Sequence, residues 1–385
     1  MKRVAIVGVG HSKFGERRDV NLAELGFEAA KPAFEDANLT SKDVDFLSVG
    51  TAGGWYEELL PAVVISEYLG LSGKGLVRCE AACASGSAAV AAAYNMIMNG
   101  QSDVAMAIGI EKMTEIDVLT AVELIGRAGY YTWEFHNFGM TFPGYYALYA
   151  TQHMKQYGTT ERQLAQVAVK NHKYGSMNPA AHLQRVISID DVLSSRVVAW
   201  PLKLYDCCPL SDGAAAVILA SEDRAKSLTD SPIWVEAVGI SSDTANVSKR
   251  PDFLGLRATV IAAEKAFKNA NVAPSQLDLA NVHDCFTIAE IMAYEDLGFC
   301  RRGEGGKMIE EGQTEIGGKI PVNLDGGLKA KGHPIGATGA SMIVELTRQL
   351  RKQAGKRQAP IKNGLALAHN VGGTGHYCYV TILRS

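Results

Sequence analysis

The stretch Val77-Arg-Cys-Glu-Ala-Ala-Cys83-Ala-Ser-Gly-Ser-Ala-Ala-Val-Ala-Ala-Ala-Tyr-Asn-Met-Ile-Met98 carries the pattern that decides the fold. A tight approach leads into small and apolar residues, without a charge from Ala88 to Met98. That is the composition of a helix covered on all sides. Cys83 stands where this helix begins, and Ser85, Gly86 and Ser87 are small enough for backbone or ligand to come close. A thiol at a helix N-terminus faces the positive end of the dipole, which favours its thiolate. The pattern predicts a nucleophile. The competing reading is an ordinary buried cysteine, since free cysteine is among the most buried residue types.

Working outward, strands and helices alternate. Arg3 to Gly8 is a short β-branched strand. Leu22 to Ala37 has helical spacing, Asp45 to Val49 is strand-like, and Asp103 to Ile110 reads as a central strand after the Cys83 helix. Such alternation predicts an α/β chain with a sheet covered on both faces. An internal repeat supports two related halves, about 1–230 and 231–385. Ala33-Phe34-Glu-Asp-Ala37-Asn38-Leu39, followed by Val44-Asp45, matches Ala266-Phe267-Lys-Asn-Ala270-Asn271-Val272, followed by Leu277-Asp278. A second echo pairs Ser85-Gly86-Ser87-Ala88 with Thr338-Gly339-Ala340-Ser341, each opening a helix. Between them, about 115–200 reads as an inserted loop domain with an aromatic cluster: Tyr130, Tyr131, Trp133, Phe135, Phe138, Phe142, Tyr145, Tyr146 and Tyr149.

Composition narrows the function. The chain has 385 residues, 47% hydrophobic and 21% charged, with a formal net charge of −3. There is no dense basic block, which argues against a nucleic-acid surface. Seven cysteines without a CxxC pair argue against a disulfide scaffold or a zinc site and for a reducing, cytoplasmic setting. The apolar run after Met1 is too short for a signal peptide, the C-terminal Leu-Arg-Ser is not a peroxisomal address, and Ala81 to Met98 suits a buried helix better than a membrane span.

Three further motifs fall at strand ends or glycine-rich turns, where sites tend to be built. Asn281-Val-His283-Asp-Cys285-Phe286 follows the repeat's strand, and residues two apart on an extended segment point the same way. Gly326-Gly-Leu-Lys-Ala-Lys-Gly332-His333-Pro334-Ile-Gly336-Ala-Thr-Gly339 fixes a histidine placed to take a thiol proton. Its two lysines are candidates for phosphates, and the turn alone also reads as an anion cradle at a helix N-terminus. His369-Asn370-Val-Gly372-Gly373-Thr-Gly375 offers main-chain N–H groups to a reacting oxygen, as an oxyanion hole requires, or is simply a hairpin turn.

Together these motifs resemble the thiolase superfamily. Cys83-Ala-Ser-Gly resembles the family's nucleophile motif and Gly332-His333-Pro334 its histidine motif. Most thiolases carry Asn-Glu-Ala-Phe and a second cysteine near the C-terminus. Here His283-Asp-Cys285-Phe286 and Asn370-Val-Gly372 stand in those places, as in archaeal-type acetyl-CoA acetyltransferases and sterol-carrier-protein-type thiolases. The resemblance implies a five-layered αβαβα fold of two pseudo-symmetric halves, in a homodimer or homotetramer. It implies that Cys83 accepts an acyl group, that His333 activates it, and that Cys285 moves the α-proton. His283 would join His333 at the enolate oxygen, and the N–H groups of Cys83 and Gly372 would hold the acyl-enzyme oxygen. Coenzyme A thioesters would be substrates, with no further cofactor and no metal. A small OB-fold zinc-finger protein and hydroxymethylglutaryl-CoA synthase are implied as partners.

The default reaction is condensation of two acetyl-CoA to acetoacetyl-CoA, or its reverse. Three alternatives stand beside it: thiolysis of a larger or aromatic 3-oxoacyl-CoA in a pocket shaped by the aromatic cluster, a decarboxylating ketoacyl-synthase-type enzyme, and a non-catalytic scaffold subunit. Cys285 argues against the synthase, because decarboxylation supplies a carbanion without a second acid/base.

Overall fold

The computed structural model describes residues 3–385. Met1 and Lys2, the first residues of the N-terminal reading, lie outside them. The elements run β1 (Val4–His11), α1 (Leu22–Ala37), β2 (Phe46–Gly50), α2 (Pro61–Tyr68), β3 (Gly75–Cys79), α3 (Ser85–Met98) and β4 (Val104–Lys112). The middle segment holds α4 (Val118–Gly126), α5 (Phe142–Tyr157), α6 (Glu161–Gly175), α7 (Ile189–Ser194) and a small hairpin of β5 (Val197–Ala199) and β6 (Leu202–Lys203). The chain returns through β7 (Asp212–Ser221), α8 (Glu222–Leu228), β8 (Ile233–Ser242), α9 (Arg257–Ala270), β9 (Leu279–Asn281), α10 (Thr287–Asp296), α11 (Gly305–Glu310), α12 (Thr338–Leu350), β10 (Leu365–Gly372) and β11 (Tyr377–Arg384).

The strand order is β3-β2-β4-β7-β1-β8-β11-β10-β9. Its two parts are copies of one pattern. β2 and β4 run parallel, β4–β7 and β7–β1 antiparallel. Likewise β9 and β10 run parallel, β10–β11 and β11–β8 antiparallel. A parallel bridge from Ala280 to Val322 takes the place of β3 beside β9. Among the described residues, the pairs Ala5–Trp234 and Ile6–Ile233 join the parts through β1 and β8.

The first repeat ends equivalent helices. α1 stops at Asn38 and α9 at Asn271, both left-handed at φ 52°, a cap that asparagine tolerates. α1 and α9 cover the outer faces, while α3 and α12 pack on each other between the sheets. Helix, sheet, central helices, sheet and helix make the five layers. The second echo marks the closest point of the central pair. A Cβ on Gly86 would lie 2.6 Å from Gly336 O and 2.9 Å from Ala340 N, and one on Gly339 would strike Ser87. Glycine is required at both positions. Among the described residues no helix is long and apolar enough to cross a membrane.

Candidate active site

Cys83 lies in the 3-10 turn Ala82–Ala84 that leads into α3. The turn is sharp. Ala82 has φ 49°, a left-handed conformation costing about 1–2 kcal/mol for a residue with a Cβ. It is held by Ala82 N–H to Glu80 Oε1 at 2.6 Å and Ser85 Oγ to Ala82 O at 2.7 Å. β10 runs beneath the turn, and Gly372 sits so close that a Cβ would strike Ala81 O. The N–H of the next residue, Gly373, and Cys83's own N–H favour the Cys83 thiolate.

His333 arrives from the glycine-rich loop. Gly332, at φ 112°, turns the chain in a conformation nearly reserved for glycine. His333 Nδ1 lies 2.7 Å from Thr338 Oγ1, and that hydroxyl donates to Pro334 O at 3.0 Å. With its proton committed, the hydroxyl accepts from Nδ1–H. His333 Nε2 therefore carries a lone pair.

His283 has the opposite tautomer. Asn370 Oδ1 accepts from Ser87 Oγ at 2.9 Å, so its amide donates to Cys83 O at 3.0 Å and to His283 Nδ1 at 3.2 Å. The His283 proton is on Nε2. The tautomer of each ring follows from the bond at its other nitrogen. The rings stand at 84° with centroids 5.1 Å apart. The Cys83 sulfur and one nitrogen of each ring lie within 4.8 Å of one another, and both Nε2 atoms are buried without a partner. Three such donors have the spacing of a metal site. The fixed Nε2–H of His283 leaves only His333 with a free lone pair, so the set suits proton transfer and oxyanion binding.

Cys285 is fully buried, and Cys208 N–H donates to its carbonyl at 3.0 Å. Its sulfur lies outside the 4.8 Å group but near enough for charge on Cys83 or Cys208 to raise its pKa. Burial dominates throughout. It pushes the Cys83 thiol up to about 12 and His333 down to about 3, where Lys331 adds to the effect. His283 is driven well below its usual value by burial and by the neighbouring His333 and His369. The helix dipole was expected to favour a Cys83 thiolate; in this buried, apolar setting desolvation outweighs it, and the resting pair is thiol and neutral imidazole.

A cavity of about 610 Å³ opens on Cys83 and His333, with walls from Trp55, Met113, Ile125, Phe142, Leu210 and Phe286. Of the nine aromatics of the cluster, Phe142 alone lines it among the described residues. Tyr145, Tyr146 and Tyr149 are buried in packing, while Tyr130, Tyr131, Trp133 and Phe138 are exposed. The two loop lysines do not face a phosphate. Lys331 is buried and paired with Asp325, and Lys329 is buried near Tyr205. His369 sits behind the site, 2.9 Å from Thr259 Oγ1. Asn370, Ser87 and Thr338, which set the two tautomers, were quoted in the motifs without a role. The echo of Ser85–Ala88 in Thr338–Ser341, each opening a helix, was the available signal.

The thiolase N-terminal domain family matches residues 4–223, and the family described as thiolase C-terminal domain-like matches residues 239–385. An acetyl-CoA acetyltransferase of Methanothermobacter thermautotrophicus is 45% identical over 97% of both chains. Human sterol carrier protein 2 is 33% identical over 97% of this chain and 70% of its own. Among solved structures, the Ltp2-ChsH2(DUF35) aldolase superposes with a TM-score of 0.87 at 26% identity, covering 100% of this chain and 98% of that one.

Proposed function

The chain belongs to the thiolase family and is an acyltransferase, and from that premise we propose that it joins two acetyl-CoA to acetoacetyl-CoA, or runs the reverse thiolysis, through an acetyl-Cys83 intermediate. One observation carries the reading: a thiol and one nitrogen from each of two imidazoles of opposite tautomer meet within 4.8 Å beside an apolar cavity.

The lone pair on His333 Nε2 takes the Cys83 proton as sulfur attacks the thioester carbonyl. The N–H groups that face Cys83 hold the developing oxyanion. The C–S bond to coenzyme A breaks, and the departing thiol receives the proton from His333. A second acetyl-CoA then binds with its thioester oxygen at the Nε2–H of His283. Cys285 passes its thiol proton to His333, neutral again once coenzyme A has left, and as thiolate removes the α-proton. The carbanion attacks the acetyl-Cys83 carbonyl, and the Cys83–acyl bond breaks to give acetoacetyl-CoA, the Cys83 sulfur taking its proton back from His333. Two oxyanions form in turn on different oxygens, which is why two separate sets of donors are needed.

The acetyl group is favoured over a larger one because only Phe142 of the aromatic cluster lines the cavity, so the cluster does not shape a pocket for a bulky acyl group. The test is acyl capture and turnover. Incubation with acetyl-CoA should add one acetyl group to the Cys83 peptide, and Cys83→Ala should abolish it. Cys285→Ala should still acylate but form no acetoacetyl-CoA. An unmodified Cys83 peptide would favour the scaffold role, and faster turnover of a bulky 3-oxoacyl-CoA would overturn the acetyl assignment.

A partner belongs to the same proposal. Helix α4 and the turn after it expose Val118, Leu119, Trp133 and Phe138, close to cavity residues Val122, Leu124 and Arg127. Such an apolar face suits a docking protein. The structural neighbour's name pairs it with a DUF35 chain, in keeping with a small OB-fold zinc-finger partner, beyond which hydroxymethylglutaryl-CoA synthase could join. A homodimer or homotetramer and a cytoplasmic location complete the reading, the latter in keeping with seven free cysteines.

A further inference from the structure

Tyr146 has no place in the mechanism above, yet it lies against the two loops on which that mechanism depends. It comes from α5, is fully buried, and its ring stacks on Phe286 with centroids 4.6 Å apart at 26°. Phe286 directly follows Cys285, so the stack fixes the tyrosine beside the second thiol. The Tyr146 hydroxyl faces the Cys285 sulfur and also points to Gly373 O at 3.5 Å. Gly373 is the residue whose N–H favours the Cys83 thiolate. One phenol therefore stands between the second sulfur and the strand-end loop of the first.

The surroundings keep this phenol in place. Tyr149, one turn along α5, and the Arg250 guanidinium both bond Thr374 O, at 3.4 Å and 2.6 Å. Arg250 also bonds the Tyr149 hydroxyl. The ring of Tyr146 is wedged by Phe142 at 5.6 Å and Tyr149 at 5.8 Å.

We infer that Tyr146 is the positioning residue for Cys285: its O–H donates to the Cys285 thiolate formed before α-proton removal and returns to Gly373 O when the sulfur is protonated. The inference rests on the role given to Cys285 above. A phenol has a single proton, and the bond to Gly373 O is long, so little is lost when the proton turns to a charged acceptor. Hydrogen bonds to ions are stronger than those between neutral groups. The charge on Cys285 has little else to stabilise it. Burial raises the pKa of the thiol most, and charge on Cys208, Cys83 or Asp284 raises it further. Tyr146 is the group that lowers it. Its own pKa is raised by burial and by Cys285, so it stays a donor across the working range.

The test separates the two chemical halves. Exchange of acetyl-CoA methyl protons with deuterated water reads Cys285, and the rate of Cys83 acylation reads the first half. Tyr146→Phe keeps the stack and removes the donor. Exchange should fall about 10- to 100-fold, the size expected for one hydrogen bond to an ion, with acylation within about threefold of wild type. The exchange–pH curve of Y146F should move to higher pH, so that its deficit shrinks as pH rises. A fluorotyrosine placed at position 146, a more acidic donor of nearly the same shape, should move the curve to lower pH and covers the case of a poorly folding Y146F. Unchanged exchange and an unmoved curve in both variants would overturn the assignment. An equal fall in acylation would also overturn it, by placing the hydroxyl's effect on the Gly373 loop. Cys285→Ala run alongside keeps the two readings apart: if it retains exchange, the role of Cys285 itself fails.

Discussion

His333 is locked by Thr338. The hydroxyl five residues on gives its proton to Pro334 O at 3.0 Å and so must accept from His333 Nδ1 at 2.7 Å. Without this bond the ring can rotate or place its proton on Nε2, where it cannot take one from Cys83. Thr338→Val keeps the shape and removes the acceptor. Acylation of Cys83 should slow about 10- to 100-fold, part of the ~10²–10⁴ that a positioned acid–base group supplies. Thr338→Ser, which restores the hydroxyl, should recover most of the rate in the same stopped-flow measurement.

Asn370 sets the other tautomer. In Asn370→Asp, a carboxylate oxygen would face His283 Nδ1, drawing the proton from Nε2 and leaving the enolate oxygen without that donor. Loss of one oxyanion donor costs about 10²–10³ in rate. Acetoacetyl-CoA formation should fall by that order. Asn370→Ala should also lower stability by about 2 kcal/mol in urea unfolding, because the buried Cys83 O and His283 Nδ1 lose their donor. Normal turnover in N370D would contradict the assigned tautomer.

The resting Cys83–His333 pair is neutral, since burial raises one group to about 12 and lowers the other to about 3. Only the thiolate is alkylated. Below the thiol's pKa the thiolate fraction grows about tenfold per pH unit. Iodoacetamide modification of Cys83 in the free enzyme should therefore climb without a plateau from pH 7 to 9, followed by peptide mass spectrometry. A plateau near neutral pH would show a preformed ion pair. On the acid side His333 stays unprotonated until pH approaches 3, so loss of kcat/KM near pH 6 would have to come from another group.

The meeting of α3 and α12 leaves no room for a methyl group. Gly86→Ala and Gly339→Ala should each cost about 1–3 kcal/mol by overpacking, measured by urea unfolding. Both should also impair acylation, because Gly339 abuts Ser87 and Asn370. Gly26→Ala is the control. Its Cβ would meet nothing closer than 3.5 Å, and inside α1 the change should be neutral or stabilising by up to about 1 kcal/mol.

Much of the fold was legible because its signals are local. Leu22 to Ala37 coincides with α1, and the Ala33–Leu39 and Ala266–Val272 copies end in the same left-handed asparagine cap. Cys83, His283, Cys285, His333 and Gly372 each stood beside a turn or a strand end that short-range sequence reveals. The aromatic cluster was less legible. Spacing along a helix does not say which neighbour a ring meets, and those rings divide between packing, cavity wall and surface.

The sequence by itself singled out the candidate residues and a repeat between its two parts, since periodicity, glycine turns and short repeated motifs act over a few residues at a time. Only the tertiary structure decided their protonation. The tautomer of His283 depends on Ser87, 283 residues from the asparagine that relays its bond, and the thiol state of Cys83 depends on how completely the pocket excludes water. Desolvation and hydrogen bonding are properties of the packed interior, which forms only when distant segments meet.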